Sequence, residues 1–293
     1  MGILTRNSEA YCSVQLQEAL KRNGVEPVCL GFRHLLARMG GRPAMESQLL
    51  DITGLAAIIV RPIGGGSLDE IIFRIDALHR LERLGVPIYN SPSAIERAVD
   101  KYHALCLLEE KGYPVPRTVV TEDWKEALRA FQELGGDAVV KPLFGSRGIG
   151  STRISDPDTA TRVFKILSQY HQVSYVQEYI PHGGRDIRAF VVGEEVIASM
   201  YRVAEGWKTN VSQGAVPIRL ALDEELGELA VGAVGALGCE IAGADIMETP
   251  RGPVLLEVNS QPGWKGLQSV TDRNIAETIS RYILERTATR ERG

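Results

Sequence analysis

The sequence predicts an α/β protein, α+β overall, built from more than one packed unit. Three observations carry that prediction. Residues 1–90 alternate short aliphatic runs with amphipathic stretches, the pattern of parallel strands joined by crossover helices. Beyond residue 185 the pattern changes to successive strands and a closing hairpin. The length of 293 residues is enough for two or three units, each with its own core.

Taken in order, the first unit (1–90) offers candidate strands Gly2–Leu4, Val25–Leu30, Ala56–Val60 and Val86–Tyr89, and candidate helices Ser8–Arg22 and Leu68–Leu84. A second unit (91–180) opens at Asn90-Ser91-Pro92-Ser93, a helix-start signature, and continues as one helix to Lys111 before Gly112 stops it. Tyr113-Pro114-Val115-Pro116 reads as a linker, because residues before proline are held extended. Strand Arg117–Thr121, helix Trp124–Leu134 and strand Ala138–Pro142 follow, then a glycine-rich loop, strand Ser151–Ile154, helix Asp158–Gln169 and strand Tyr175–Tyr179. The third unit (181–293) has strands Ile187–Val192 and Val196–Arg202, helix Asp223–Leu237, a hairpin over 242–259 and a last helix Ile275–Arg286.

Composition excludes several function classes. A net charge of −4 gives no basis for wrapping nucleic acid or coating an anionic membrane. No apolar run approaches the roughly 20 residues of a membrane span. The four cysteines are scattered without a C-x-x-C, which argues against structural zinc and a disulfide framework, and for a reducing cytoplasm. The first residues read as a strand rather than a signal peptide.

The hairpin carries the sharpest chemical signal. Ala242-Gly243-Ala244-Asp245-Ile246-Met247 and Val254-Leu255-Leu256-Glu257-Val258-Asn259 flank the turn Thr249-Pro250-Arg251-Gly252. Alternation puts Glu257 and Asn259 on one face, Leu256 and Val258 on the other, and a turn centred on Pro250-Arg251 sets Asp245 opposite Glu257. Buried carboxylates repel unless a cation joins them, and Mg2+ prefers a few carboxylate oxygens plus phosphates. The plain alternative is two surface acids on an edge hairpin.

Upstream, Lys141 ends a strand that runs into Phe144-Gly145-Ser146-Arg147-Gly148-Ile149-Gly150. Glycines let backbone N–H groups approach phosphate, and Lys141 adds charge; neither the P-loop nor the dinucleotide fingerprint spacing is present. Lys101, on the preceding helix, is by itself an ordinary helix-face lysine. The run Gln177-Glu178-Tyr179-Ile180 could present backbone groups to an adenine edge between two lobes, or be a plain core strand. Asp186 and Arg188 share a strand face, and Arg202, Lys208 and Asn210 surround a Glu205-Gly206-Trp207 turn. Three cations approaching an acid cluster suit a polyphosphate with metal, with Asn210 adding an oxygen.

The order of these features resembles the ATP-grasp enzymes from about Asn90 to Ile283, with a Rossmann-like pre-ATP-grasp unit before it. Gly184-Arg185-Asp186-Ile187-Arg188 with Val191-Val192-Gly193, and Glu257-Val258-Asn259-Ser260-Gln261-Pro262-Gly263, resemble the RimK-type α-L-glutamate ligases. Arg61-Pro62-Ile63-Gly64-Gly65-Gly66-Ser67 looks like the tetrahydromethanopterin:α-L-glutamate ligase branch. Two departures stand out: Gln261 replaces a usual serine, and Trp264 a common aliphatic residue.

The resemblance implies two lobes clamping ATP, with Lys101, Lys141, Gly145, Ser146, Gly148, Gln177–Ile180, Asp186, Lys208 and Asn210 on the nucleotide. It implies Asp245, Glu257 and Asn259 on Mg2+ or Mn2+, as two ions, and Arg188, Arg202 and Lys208 as catalytic cations. The reaction implied is amide formation through an acylphosphate, adding L-glutamate to an acid acceptor in a cytoplasmic homo-oligomer, dimer or tetramer. The acceptor is expected where Arg61, Gly64, Gly65 and Gly66 face Trp264, whose ring would suit a planar group. Two other readings stay open: a ligase acting on a carrier protein or peptide, and a non-catalytic nucleotide-binding regulator.

Overall fold

The computed structural model describes residues 1–145 and 148–290. Its first section runs β1 (Gly2–Leu4), α1 (Tyr11–Arg22), β2 (Val28–Leu30), β3 (Leu35–Ala37), β4 (Met45–Ser47), β5 (Leu50–Asp51), β6 (Ile58–Val60), α2 (Leu68–Arg83) and β7 (Ile88–Tyr89). Strands β2-β1-β6-β7 form a parallel sheet in that order. All residues of β1 and β6 are buried, as expected for strands covered on both faces. Helix α2 starts at a reciprocal cap between Ser67 and Glu70. The small antiparallel sheet β3-β4-β5 was not expected; strands of two or three residues are too short to show a period.

The helix expected over 94–111 is two: α3 (Pro92–Val99) and α4 (Lys101–Glu110). The chain turns extended at Asp100, whose carboxylate accepts from the Tyr102 and His103 N–H groups and so caps α4. There follow β8 (Thr118–Thr121), α5 (Trp124–Glu133), β9 (Ala138–Lys141), β10 (Thr152–Ile154), α6 (Pro157–Gln169) and β11 (Ser174–Glu178). They make an antiparallel sheet, β10-β9-β11-β8, with Phe131 and Phe164 of the two helices buried against Val140 and Val176.

The last section runs β12 (Arg185–Val192), β13 (Glu195–Val203), β14 (Val216–Arg219), α7 (Glu224–Ala236), β15 (Ile241–Thr249), β16 (Gly252–Asn259), α8 (Lys265–Gln268) and α9 (Ile275–Arg290). Its antiparallel sheet has the order β14-β13-β12-β15-β16. Strand β14 was missed because its side chains are mostly exposed and leave no apolar alternation. One sheet face packs on α4 and α7 through small side chains, Ala230, Ala233, Ala242 and Ala244 among them. The other shares a core with the first section, where Phe190 and Trp264 meet Ile3, Leu16 and Ile279.

Asn90 fastens this junction. Its Nδ2 donates to the carbonyls of Ile241 (2.7 Å) and Ser260 (2.6 Å), and its Oδ1 accepts from Glu240 N and Ile241 N. One buried amide, fully satisfied, therefore holds the start of β15 and the residue after β16.

In β16, Asp245 does pair with Glu257, and Gly243 with Asn259. The alternation expected along the strand is interrupted, however. Ile246 pairs with Leu255, so Leu256 is an extra residue in a bulge. As a result Leu256 lines the same cleft as Glu257, while Leu255 and Val258 enter the core.

Candidate active site

Between the four-stranded sheet of β8–β11 and the five-stranded sheet of β12–β16 lies a cleft of about 910 Å3. Lys101, Lys141, Gly145, Gly148, Gln177, Glu178, Tyr179, Ile180, Asp186, Arg202, Lys208, Asn210, Asp245 and Glu257 all line it. Ser146 lies outside the described residues. Arg188 and Asn259 are not in that lining: Arg188 stands on β12 directly across from Asp245 of β15, and Asn259 lies two residues beyond Glu257 on β16.

Lys141, at the end of β9, donates from Nζ to Gln177 Oε1 at 2.6 Å. Gln177 in turn donates from Nε2 to Thr118 Oγ1 and Tyr175 Oη. Its side chain thus orients Lys141, a role that the expectation of a backbone hinge did not include. Burial pushes the Lys141 ammonium down to about 8; Glu257 works against that shift and Lys101 adds to it. Lys101 donates to Gly145 O at 2.6 Å and Lys208 to Gly148 O at 3.4 Å, so lysines of two distant segments meet the carbonyls of the glycine-rich loop. Gly148 has φ +69°, and a Cβ there would collide with the Asn210 side chain.

The hinge is partly committed. Glu178 N and Tyr179 N donate to the carbonyls of Arg117 and Asp137, and the Glu178 carboxylate is taken by Arg117. Burial raises the Glu178 proton affinity, but the Arg117 N–H and guanidinium outweigh it and hold the carboxyl below the usual range.

The expected set of free cations needs correction. Arg188 forks onto both oxygens of Asp245, and Arg202 bridges Asp186 (Nε–Oδ1 2.7 Å) and Asp245 (2.9 Å). Thr209 Oγ1 donates to Asp186 Oδ2 at 2.7 Å. Two acids and two guanidiniums form a buried neutral chain, because none could be buried alone. Burial opposes the Asp245 charge, but Arg188 and Arg202 overcome it and hold the carboxyl low. Of the three cations expected to act on a polyphosphate, Lys208 alone has no acidic partner among the described residues.

Among the described residues, no three His, Cys, Asp or Glu side chains gather as a metal-holding group. The oxygen set is two carboxylates and an amide. Glu257 has neither hydrogen bond nor ion pair among the described residues and faces the cleft. Asn259 follows on the same strand face, and such hard oxygen donors fit a divalent cation that completes its shell with water and phosphate.

Arg61 and Trp264 are not an open surface, contrary to expectation. Trp264 is 1 % exposed and Arg61 6 %. The Arg61 guanidinium lies 4.6 Å from the Trp264 ring centre and donates to Pro262 O at 2.9 Å. Both sides of the expected contact do meet, since Ile63 N donates to Gln261 Oε1, but the tryptophan ring is spent on packing against Phe190. Sequence reasoning also missed Met247, Leu256 and Trp207 in the cleft. Leu256 was hidden by the bulge. Trp207 was named only as part of a turn, although a tryptophan beside two polar cleft residues was the available signal.

A model of the RimK-like ATP-grasp domain matches residues 98–283. The tetrahydromethanopterin:α-L-glutamate ligase of Methanosarcina acetivorans is 35 % identical, covering 97 % of this chain and 98 % of that protein. A probable α-L-glutamate ligase of Photobacterium profundum is 33 % identical over 100 % of this chain and 97 % of its own. Among solved structures, the ATP-grasp ligase PsnB, complexed with minimal precursor, Mg and ADP, superposes with a TM-score of 0.75 at 21 % identity, covering 98 % of both chains.

Proposed function

Because the chain belongs to the RimK-like ATP-grasp family, we propose that it is an ATP-dependent carboxylate–amine ligase that adds L-glutamate to a small acid. One observation carries the reading: Lys141 of β9, Lys101 of α4, Lys208 of the β13–β14 connection and the carboxylates of Asp245 and Glu257 all converge on a single cleft. In that cleft Lys141, Lys101 and Lys208 meet the phosphates, Lys141 held in place by Gln177. Leu256 and Met247 supply an apolar wall for the base, and the Gln177–Ile180 connector its polar edge. Asp245 and Glu257, with Asn259 next on the Glu257 strand face, would hold Mg2+ or Mn2+, as two ions, and the metal would neutralise phosphate charge.

A carboxylate oxygen of the acid bonds to the γ-phosphorus as the bond to ADP breaks, giving an acylphosphate. The glutamate amine then bonds to the acyl carbon, phosphate leaves, and the ammonium proton passes to solvent. No protein nucleophile is needed; the residues bind, align and neutralise. The full-length relative named for tetrahydromethanopterin supports a small-molecule acceptor. The peptide reading rests on structures of about 20 % identity and so on fold alone. Retention of Asp245, Glu257 and Asn259 speaks against a non-catalytic regulator. We place the enzyme in the reducing cytoplasm, as a homo-oligomer.

The test is ADP release across a panel of small acids with and without L-glutamate and Mg2+. Release that needs acid, glutamate and metal together supports the reading. Release indifferent to both acid and glutamate, or none with any acid, sinks it.

A further inference from the structure

Strand alternation sets α1 and α2 on opposite faces of the parallel sheet. Ile3 and Ile59 share a core with Leu16 and Leu20 of α1, whereas Leu4, Ile58 and Val60 share one with Ile75 and Leu78 of α2. Helix α1 packs in turn on α9, and Glu18, Lys21 and Arg22 are among the residues it exposes.

The outside of α2 is less polar. Asp69, Ile72, Phe73, Asp76 and Arg83 are all exposed and fall within about 100° of one another around the helix, away from Ile75, Leu78 and Leu81. Leu68 at the first position is 73 % exposed, and Leu84 at the C-cap is exposed as well. A helix that serves only its own core carries polar residues on this side, whereas α2 offers four large apolar ones. Met39, 85 % exposed, adds to them beside the last turn, where Arg80 Nη2 donates to Arg38 O at 2.5 Å and Nη1 approaches the Met39 sulphur at 3.8 Å.

The charges on this face say what covers it. Asp69 and Arg83 stand about four turns apart, and neither has an ion pair among the described residues, whereas Arg74 is taken by Glu70. Acids in the first turn and bases in the last suit the dipole of any helix, so the charges alone ask for nothing. With apolar residues between them, however, they make a face complementary to its own reverse. An antiparallel second α2 centred on Asp76 sets Asp69 opposite Arg83, and Leu68 opposite Leu84. Such self-complementarity is what a twofold contact requires. A helix pair covers less than the roughly 800 Å2 per partner of a standard interface, and Met39 with the small sheet beside it extends the contact.

We propose that a second copy of this chain docks here. The two α2 helices pack antiparallel about a twofold axis at Asp76, with Ile72 and Phe73 buried between them and Asp69 paired with the partner's Arg83. This rests on the homo-oligomer reading and is independent of the ligase chemistry.

Sedimentation equilibrium of the full chain should give a species of at least twice the 32.1 kDa chain mass. Ile72→Lys should raise the dissociation constant at least about tenfold, the loss of one apolar anchor. Asp69→Arg and Arg83→Asp should each weaken association, while an equimolar mixture of those two variants should associate more tightly than either alone. Asp76→Asn should tighten it, because two like charges meet at the axis. None of these residues lines the nucleotide cleft, so unchanged affinity for a non-hydrolysable ATP analogue shows that each variant is folded. A monomer at about 100 μM, far above the dissociation constants of specific protein pairs, overturns both the contact and the homo-oligomer reading. An oligomer indifferent to Ile72→Lys, or charge variants that the mixture does not rescue, overturns the α2 contact alone.

Discussion

Arg188 stands directly across the β12–β15 ladder from Asp245, and its Nη2 donates to Oδ2 at 2.7 Å. Asp245 is thus a structural counter-ion as well as a cleft carboxylate. Asp245→Ala strands Arg188 and Arg202 in a buried site and should cost about 3–5 kcal/mol of stability, together with activity. An intact fold would have followed had Asp245 been free. Thermal melts of the variant check this; an unchanged melting temperature contradicts the counter-ion role.

Glu257 should behave differently. It has no hydrogen bond or ion pair to strand among the described residues and only a longer-range charge contact with Lys141, so Glu257→Ala should melt within a few degrees of the natural protein. Turnover should fall at least about a hundredfold, as when one charge-stabilising group is lost from an active site. Near-normal Mg2+-dependent turnover removes Glu257 from the metal.

The Lys141 ammonium, lowered by burial to about 8, gives nucleotide binding a pH dependence. Phosphate favours the charged form, so the bound value lies above 8. Between the two values binding takes up a proton, and affinity falls as pH rises through about 8. Titrations at pH 9 in buffers of different ionisation heat should reveal that proton. Lys141→Arg keeps its charge throughout and should flatten the profile; an equally steep fall in that variant assigns the effect elsewhere.

Arg61→Ala should lower stability by about 3 kcal/mol, the combined scale of a buried charge-assisted hydrogen bond and a desolvated cation–π contact. The apparent Michaelis constant for the acceptor should stay within about twofold once the variant is folded. A large rise in that constant without loss of stability would restore Arg61 to the acceptor site.

Asn90→Leu removes four hydrogen bonds and leaves buried main-chain groups at Glu240, Ile241 and Ser260 unsatisfied, at about 1–3 kcal/mol each. Ser260 adjoins Asn259, so Mg2+ affinity in the presence of ATP analogue should weaken with stability. Unchanged metal affinity in the folded fraction would confine Asn90 to a packing role.

Much of this was legible because strand pairing is local. The composition of the Thr249–Gly252 turn was enough to place Asp245 against Glu257. The long amphipathic helices and aliphatic strands also follow directly from their periods. What stayed hidden depends on contacts between distant segments. Nothing near Trp264 in sequence says that Phe190 and Arg61 will cover it, and nothing near Arg202 says that two aspartates from other strands will claim it. Asp100 breaks a helix that periodicity alone would continue, because a side-chain acceptor competes locally with the helical ladder.

Leu255 and Glu257 are two residues apart, and in an unbroken strand they would point the same way. Leu255 is fully buried among alanines, so regular pleating would carry the Glu257 charge into that interior. The extra residue at 256 is a phase dislocation: the strand leaves the hairpin tip in one phase and reaches its acidic end in the other. Deleting Leu256 would make Leu255 and Glu257 neighbours on opposite faces, so the acidic end would keep its face and only the apolar side chain that the bulge adds to the cleft would be lost. The bulge lets one strand set an apolar side chain and a carboxylate side by side on the same cleft.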